Sequence, residues 1–504
     1  MPSAQLYPQT STIRYGGWLP HSKDAYEKFF RHLNNKAATR RRAKSSHIQA
    51  VGEFEDAIRA DPEMLGLFEQ TFLQAATPQN HVEDFDCLLH FLDIILVQPP
   101  SFIENDIGEP IGVPIYIVFD LLSNTAAAYQ LFSKPAFNVA MKKLLDSWGA
   151  FLSSPGSNTT LTDKEGGWFS DEGIKTLEDK GRGDFDTTYI HPKPDEVNRG
   201  YESWNEFFIR EIKDEARPIV SDGNPANIIS ACESAVLRLD RNVKAHDQFW
   251  LKAQKYSLYG MLDRDESTTQ YFTGGTVYQA FLSPYDYHRW RAPVSGTVVK
   301  ADIIPGTYYA VLPDEGAEEG DPDFEPGAPY GALIRSQAWL TQSATRAIIL
   351  IDTGNPKIGI VGFIGVGMVE VSTCVLSVEA GRKVQQGEEI GMFQFGGSTH
   401  VLLFGPDVKL TFVEDVEKDG TKRDGTYSAD VPRTNRQVYH GVVVEGSVLD
   451  EFSMWKYTVT HTYNLEIRDA INVQTRIYYT TFASRLHGAR PHLNDSYQLP
   501  PKHV

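Results

Sequence analysis

The chain has 504 residues, with 48 Lys and Arg against 66 Asp and Glu, giving a formal net charge of −18, and 41% of its residues are hydrophobic. That is a soluble globular composition, long enough for two or three domains. A surface this acidic repels phosphate backbones and anionic lipid, so nucleic acid is excluded as a sequence-independent partner. The most apolar region, residues 347 to 371, is interrupted by Asp352, Asn355, Pro356 and Lys357, and no window reaches the roughly 20 apolar residues that span a bilayer. No stable membrane insertion is expected. The first residues lack a basic stretch followed by an apolar one, as secretion requires. Cys87, Cys232 and Cys374 are odd in number and form no C-x-x-C pair, which points to a reducing cytoplasm without disulfides or a thiolate metal site.

In chain order, helices come first. Tyr26, Phe29, Phe30 and Leu33, then Val51, Phe54 and Ile58, recur at helical spacing, with Ser22 as a predicted N-cap and Asp61-Pro62 as a cap followed by proline. Residues 82–97 read as a more buried helix stopped by Pro99-Pro100. Phe137, Met141, Leu144, Trp148 and Leu152 line another, which SSPGSNTT (153–160) ends. The basic run Arg40, Arg41, Arg42 and Lys44 reads as a solvated helix end rather than a nuclear signal. From about residue 225, GGTVYQAFL, SGTVVKADII, AIILID and IGIVGFIGVG are β-branched and aromatic runs punctuated by glycine, which predict a β-rich domain. PDEGAEEGDPDFEPGAPYG (313–331) is too polar to order itself and is expected to be a surface loop. After Phe412 comes a linker-like segment and then the strand-like GVVVEGSVL and KYTVTHTYNLEI. The expected organisation is α+β: a helical domain over 1–195, a β-rich sandwich or barrel over 196–412, and an extension of unassigned role over 413–504.

No P-loop, H-E-x-x-H, G-x-S-x-G or EF-hand pattern occurs, and the fourteen histidines show no metal-ligand spacing, so no metal is expected. The informative stretch is GRKVQQGEEIGMFQFGGSTHVLLFGPDVKLTF, 381–412, which places Gly396-Gly397-Ser398-Thr399 inside a β run. Two glycines weaken a strand, and an isolated pair would mark a plain bulge. Here the context changes that reading. The whole stretch resembles the processing site of the pyruvoyl-dependent phosphatidylserine decarboxylase family. Further similarity lies in SWNEFFIREIKDEARPI (203–219), ACES (231–234), KYSLYGML (255–262) and FLSPYDYHRWRAPVSGTV (281–298). KKLLDSWGAFLSS (142–154), GGWFSDEG (166–173) and PGTYYA resemble the soluble fungal L-tryptophan decarboxylase-like branch of that family. Together the similarities run from roughly residue 15 to 412.

The resemblance implies that the chain is a zymogen, autocatalytically cut between Gly397 and Ser398. Ser398 then becomes an amino-terminal pyruvoyl group, the only cofactor implied, which forms a Schiff base with the substrate amine and accepts the electrons released with carbon dioxide. Glycine before the serine leaves the attacked carbonyl unshielded. The family's acidic residue of the self-cleavage triad falls on Glu233, and the histidine of D-Y-H, assigned to decarboxylation, on His288. Where the family has a second histidine, this chain has Arg291, which cannot accept the serine proton at neutral pH. His400, two residues after Ser398, points to the same face of a strand and is either a substitute base or an inward-facing polar residue. The expected activity is decarboxylation of a small-molecule amino acid, favouring a free aromatic one such as L-tryptophan. The alternatives are phosphatidylserine as substrate, which would place the chain in phospholipid biosynthesis, and an uncleaved, non-catalytic homologue. A homodimer is compatible with the resemblance.

Overall fold

The computed structural model describes residues 17–412 and 442–444, apart from 21, 104–108, 179–181, 218, 220–225, 247–255, 320, 322 and 396–397. Seven helices open the chain: α1 (Lys23–Arg42), α2 (Gln49–Arg59), α3 (Pro62–Gln74), α4 (Phe85–Ile95), α5 (Pro114–Ser123), α6 (Ala126–Phe132) and α7 (Pro135–Leu152). The starts of α1 and α3 follow the expected caps. Ser22 Oγ accepts from Ala25 N at 3.0 Å, and Asp61 caps α3 with Pro62 in its first turn. α4 is buried along its length apart from Asp86 in its first turn, as its nearly continuous apolar sequence requires, and its N-cap is Asp84. Arg40 at the end of α1 is more than a solvated basic residue, since it pairs with buried Asp93 at 3.0 Å.

The β-rich half contains two packed sheets. β1 (Ser101–Ile103) and β2 (Glu109–Ile111) form a separate hairpin among the helices. The further strands are β3 (Asn227–Ile228), β4 (Ala235–Arg241), β5 (Thr276–Leu282), β6 (Arg289–Arg291), β7 (Gly296–Ile304), β8 (Arg346–Asp352), β9 (Ile360–Gly367), β10 (Thr373–Leu376), β11 (Lys383–Val384), β12 (Glu389–Gln394), β13 (Ser398–Phe404), β14 (Leu410–Phe412) and β15 (Val442–Val444). An antiparallel seven-stranded sheet has the order β11-β7-β8-β9-β13-β5-β4, and a three-stranded sheet the order β10-β12-β6. Trp290 of β6 packs on Phe363 of β9 and Phe393 of β12, at 5.1 and 4.6 Å between ring centroids, so the small sheet covers one face of the large one. Helical segments cover the other: Gln279 of β5 donates to the Gln337 carbonyl (3.3 Å), and Trp18 packs on Phe281. The arrangement is a sandwich; β11 and β4 remain edges among the described residues, so no barrel closes.

One buried cluster runs through helices and sheets without a break. The 313–331 loop has no regular structure in its described residues, yet it is pinned. Ala317 and Phe324 are buried, and Asp314 is bound by Asn124 (3.1 Å) and Arg335. Its local sequence lacks the apolar area to order it; partners distant in sequence supply the anchors. Of the tail, Val442–Val444 pairs between β14 and β3. The rest of 413–504, including KYTVTHTYNLEI, lies outside the described residues.

Candidate active site at the head of a central strand

Gly396 and Gly397 lie outside the described residues, and β13 begins at Ser398. Hydrogen-bonded between β5 and β9, Ser398 stands opposite Leu282 and Gly367. It is 0% exposed, and its hydroxyl has no hydrogen-bond partner. Leaving a buried hydroxyl unsatisfied costs about 1–3 kcal/mol, so its presence calls for a chemical reason. Gly367 is needed beside it, because a Cβ there would lie 2.5 Å from Ser372 Cα. Just upstream, Phe395 has φ 78°, a left-handed conformation that a bulky residue adopts only under constraint. α7 supplies that constraint: a Cβ on Gly149 would stand 2.8 Å from the Phe395 ring.

Alternation along β13 separates Thr399 from its neighbours. Thr399 Oγ1 accepts from Gln279 (3.0 Å) and donates to the Ala280 carbonyl (2.9 Å) on the helix-covered face. Ser398 and His400 share the sandwich face. The His400 ring lies 5.9 Å from Phe363 and 6.1 Å from Tyr278, with neither nitrogen hydrogen-bonded. Burial pushes its pKa down to about 3. Its lone pair is therefore free, but the imidazolium is costly to form.

Glu233 precedes β4. Ala235 stands opposite Phe281 and Phe281 opposite Thr399, so Glu233 and Ser398 occupy the same end of the sheet, two strands apart. At about 4.8 Å per strand that is roughly 10 Å between backbones, enough to require an intervening group. Arg217 Nε donates to Glu233 Oε1, whereas Glu233 Oε2 is buried without a partner. Arg217 also donates to the Arg182 carbonyl (2.6 Å), Arg182 Nε to Asp286 (2.6 Å), and Asp286 accepts from Ser283 N (2.6 Å). This chain of polar contacts ties the ACES turn to the D-Y-H turn.

His288, just before β6, is 0% exposed and stacks on Phe208 (4.2 Å, 21°), which stacks on Trp204 (5.3 Å, 21°). Its carbonyl accepts from Phe393 N at 2.9 Å. Neither ring nitrogen makes a hydrogen bond of normal geometry. Burial, then the positive charge of Arg210, holds its pKa well below the ordinary histidine value; a backbone contact at Asp286 works against them, and Arg182 adds a smaller lowering. Arg210 is buried as well, donating to the Tyr285 carbonyl (2.7 Å) with its guanidinium 4.3 Å from the Tyr189 ring centroid. Arg291 N donates to the Ala231 carbonyl (2.8 Å), which sets β6 beside the ACES turn. The Arg291 guanidinium is engaged by the Gly387 carbonyl and the Tyr287 hydroxyl, both at 3.1 Å, and lines a cleft of about 410 Å³ with Glu211, Lys213 and Glu389.

The fold thus gathers Ser398, His400 and Glu233 at one sheet end and ties the His288 turn to them, while the Arg291 side chain is held at the cleft. Sequence reading missed Phe395, Gly149 and the pairing role of Arg217. Arg210 and Arg217 stood inside a recognised motif without roles; Phe395 and Gly149 carried no signal, because their relation exists only in three dimensions. It also passed over Glu370, an acid within an apolar run. Buried after β9, Glu370 accepts from Ile115 N (3.0 Å), Tyr116 N (3.1 Å) and the Tyr309 hydroxyl (3.2 Å).

The family model for phosphatidylserine decarboxylase matches residues 204–425, and a second one for the same enzyme matches 48–177. The chain belongs to this family and is a decarboxylase. It is 52% identical to decarboxylase iboD of Amanita muscaria, over 64% of this chain and 95% of that protein. It is 33% identical to L-tryptophan decarboxylase of Psilocybe cubensis, over 82% of this chain and 94% of the relative. Phosphatidylserine decarboxylase proenzyme 3 of Schizosaccharomyces pombe is 32% identical over 43% of this chain and 20% of its own length. Among the described residues no helix is long and apolar enough to cross a membrane.

Proposed function

We propose that the chain cleaves itself between Gly397 and Ser398, that Ser398 becomes a pyruvoyl group, and that the matured enzyme decarboxylates a free amino acid, L-tryptophan or another aromatic one. One observation carries the reading: the buried Ser398 hydroxyl has no structural partner, and it follows the left-handed Phe395 and two glycines. Converting this residue to a ketone sacrifices no side-chain hydrogen bond, so the site fits the group. When present, the pyruvoyl group supplies an electron sink for carbon dioxide loss.

The chain's own residues have separable tasks in this reading. Arg217 pairs with Glu233 at the serine's end of the sheet, and Arg291 cannot take the hydroxyl proton. His400 is a same-face acceptor of low basicity. His288, neutral and free at both nitrogens, offers one N–H and one lone pair for proton transfer to substrate, while Phe208 and Trp204 fix its plane. A free amino acid is favoured because similarity to the fungal L-tryptophan decarboxylase extends across the helical half, and because a net charge of −18 opposes binding to anionic bilayers.

Denaturing gels with intact mass test maturation. Fragments of 397 and 107 residues are expected, the smaller blocked at its amino terminus. Ser398→Ala should give one chain without a hydrazine-reactive carbonyl. Carbon dioxide release is then followed, without detergent, on a panel of free aromatic amino acids and, separately, on phosphatidylserine vesicles. A single full-length band without a reactive carbonyl overturns the proposal in favour of a non-catalytic homologue. Turnover confined to vesicles overturns only the choice of substrate.

A further inference from the structure

Three helices of the amino-terminal half meet at a cluster that decarboxylation does not use. The Asp93 carboxylate of α4 is 0% exposed. Its Oδ1 accepts from Ile48 N (2.9 Å), at the start of α2, and its Oδ2 accepts from Arg40 Nη2 (3.0 Å), at the end of α1. The same Oδ2 lies 2.7 Å from His47 Nδ1 and 3.6 Å from His90 Nδ1. His90 is 6% exposed, and its Nδ1, directed at Asp93, has no hydrogen-bond partner. The outer nitrogens of both rings face other carboxylates: His47 Nε2 is 3.9 Å from Glu55, and His90 Nε2 is 3.8 Å from Asp86.

We propose that His47, His90 and Asp93 form a binding site for a divalent transition metal of the zinc type, independent of the decarboxylase centre. One donor atom from each of the three lies within 4.8 Å of the others. Zinc bonds of about 2.0–2.2 Å in a tetrahedron place neighbouring ligands about 3.3 Å apart, so small side-chain shifts close the site. Two imidazoles and one carboxylate select zinc-like ions over calcium or magnesium, which take oxygen ligands. Glu55 and Asp86 complete the pattern. A carboxylate facing the outer nitrogen of a ligating histidine keeps that nitrogen protonated and turns the other lone pair to the metal. Arg40 is the competing cation on Asp93, but it also donates to the Ser46 carbonyl (2.8 Å) and stays anchored there when the metal takes the carboxylate. His47 is only half-buried and gives the entry path, with water as fourth ligand. The bound ion would staple the α1–α2 connection, at His47, to α4.

The test uses tag-free, full-length protein stripped with chelator and titrated with zinc or cobalt(II). Zinc should raise the melting temperature by several degrees at saturation, and cobalt(II) should give the visible absorption of a tetrahedral centre. His47→Ala, at a half-buried position that tolerates truncation, and His90→Gln should each weaken zinc binding at least tenfold and abolish the cobalt spectrum. Circular dichroism of the metal-free proteins checks that both variants fold. No zinc-dependent rise in the wild type, or an equal rise in both folded variants, would overturn the site.

Discussion

The proton-transfer roles proposed around Ser398 can be separated by substitution at His288, Arg291 and His400. His288→Ala should leave self-cleavage intact and reduce decarboxylation by about 10²- to 10⁴-fold, the usual worth of a general acid or base. The check is kcat on protein shown by mass to be fully cleaved; loss of cleavage together with turnover would assign His288 a different role. Arg291→His returns an imidazole to the strand beside the ACES turn. If the missing base limits maturation, this variant should cleave faster than wild type. If His400 serves instead, Arg291→His should change little and His400→Ala should slow cleavage severely. A base with a pKa pushed down to about 3 is weak, so the expectation is slow wild-type maturation that Arg291→His accelerates. Band conversion after translation measures it. Equal rates in wild type and both variants would place the base elsewhere.

At the scale of elements, α7 governs the conformation that precedes the serine. Phe395 holds its positive φ while its ring fills the space left by Gly149. Gly149→Ala puts a methyl 2.8 Å from that ring, an overpacking that typically costs about 1–3 kcal/mol. The expected outcome is a lower melting temperature and at least about tenfold slower cleavage, because the displaced ring no longer holds Phe395 in its left-handed conformation. Phe395→Leu in the same chain makes room and should recover part of the melting temperature. Cleavage at the wild-type rate in Gly149→Ala would show that the helix supports the fold alone. Sequence periodicity located α7 and β13 separately. It could not show that they touch, since a glycine on a helix looks the same whether it faces solvent or an aromatic ring.

For the whole molecule, two buried groups give stability opposite dependences on pH. Burial pushes the pKa of His400 in the fold down to about 3, from the ordinary histidine value of 6.5. The unfolded chain therefore binds the extra proton, and this contribution, complete above about pH 6.5, is lost as pH falls toward 3, with an upper bound on the order of 5 kcal/mol. Glu370 is the reverse case. Burial raises its pKa to about 7 from 4.5, so its contribution is complete below about pH 4.5 and declines as pH rises to 7. In the Ser398→Ala background, which keeps the chain in one piece, His400→Leu should gain on the parent in melting temperature as pH falls from 6.5 to 4. Glu370→Gln should gain on the parent as pH rises from 4.5 to 7. Parallel curves for parent and variants would mean that neither group titrates within the fold.

What the sequence determined by itself was local or carried by motif. Ser22 and Asp61 start helices because capping needs only the neighbouring amides, and the alternation around Ser398 already placed His400 on its face. Gly396-Gly397-Ser398, Glu233 and His288 could be singled out as candidates because their motifs occur in order along the chain. Tertiary structure alone decided the rest. Arg217 reaches Glu233, Gly149 seats Phe395, Arg291 is drawn to the Gly387 carbonyl and Tyr287, and His47 meets His90 and Asp93. Each of these depends on which faces of separate elements are pressed together by a shared buried core. That is set by the sum of many weak apolar contacts rather than by any spacing along the chain.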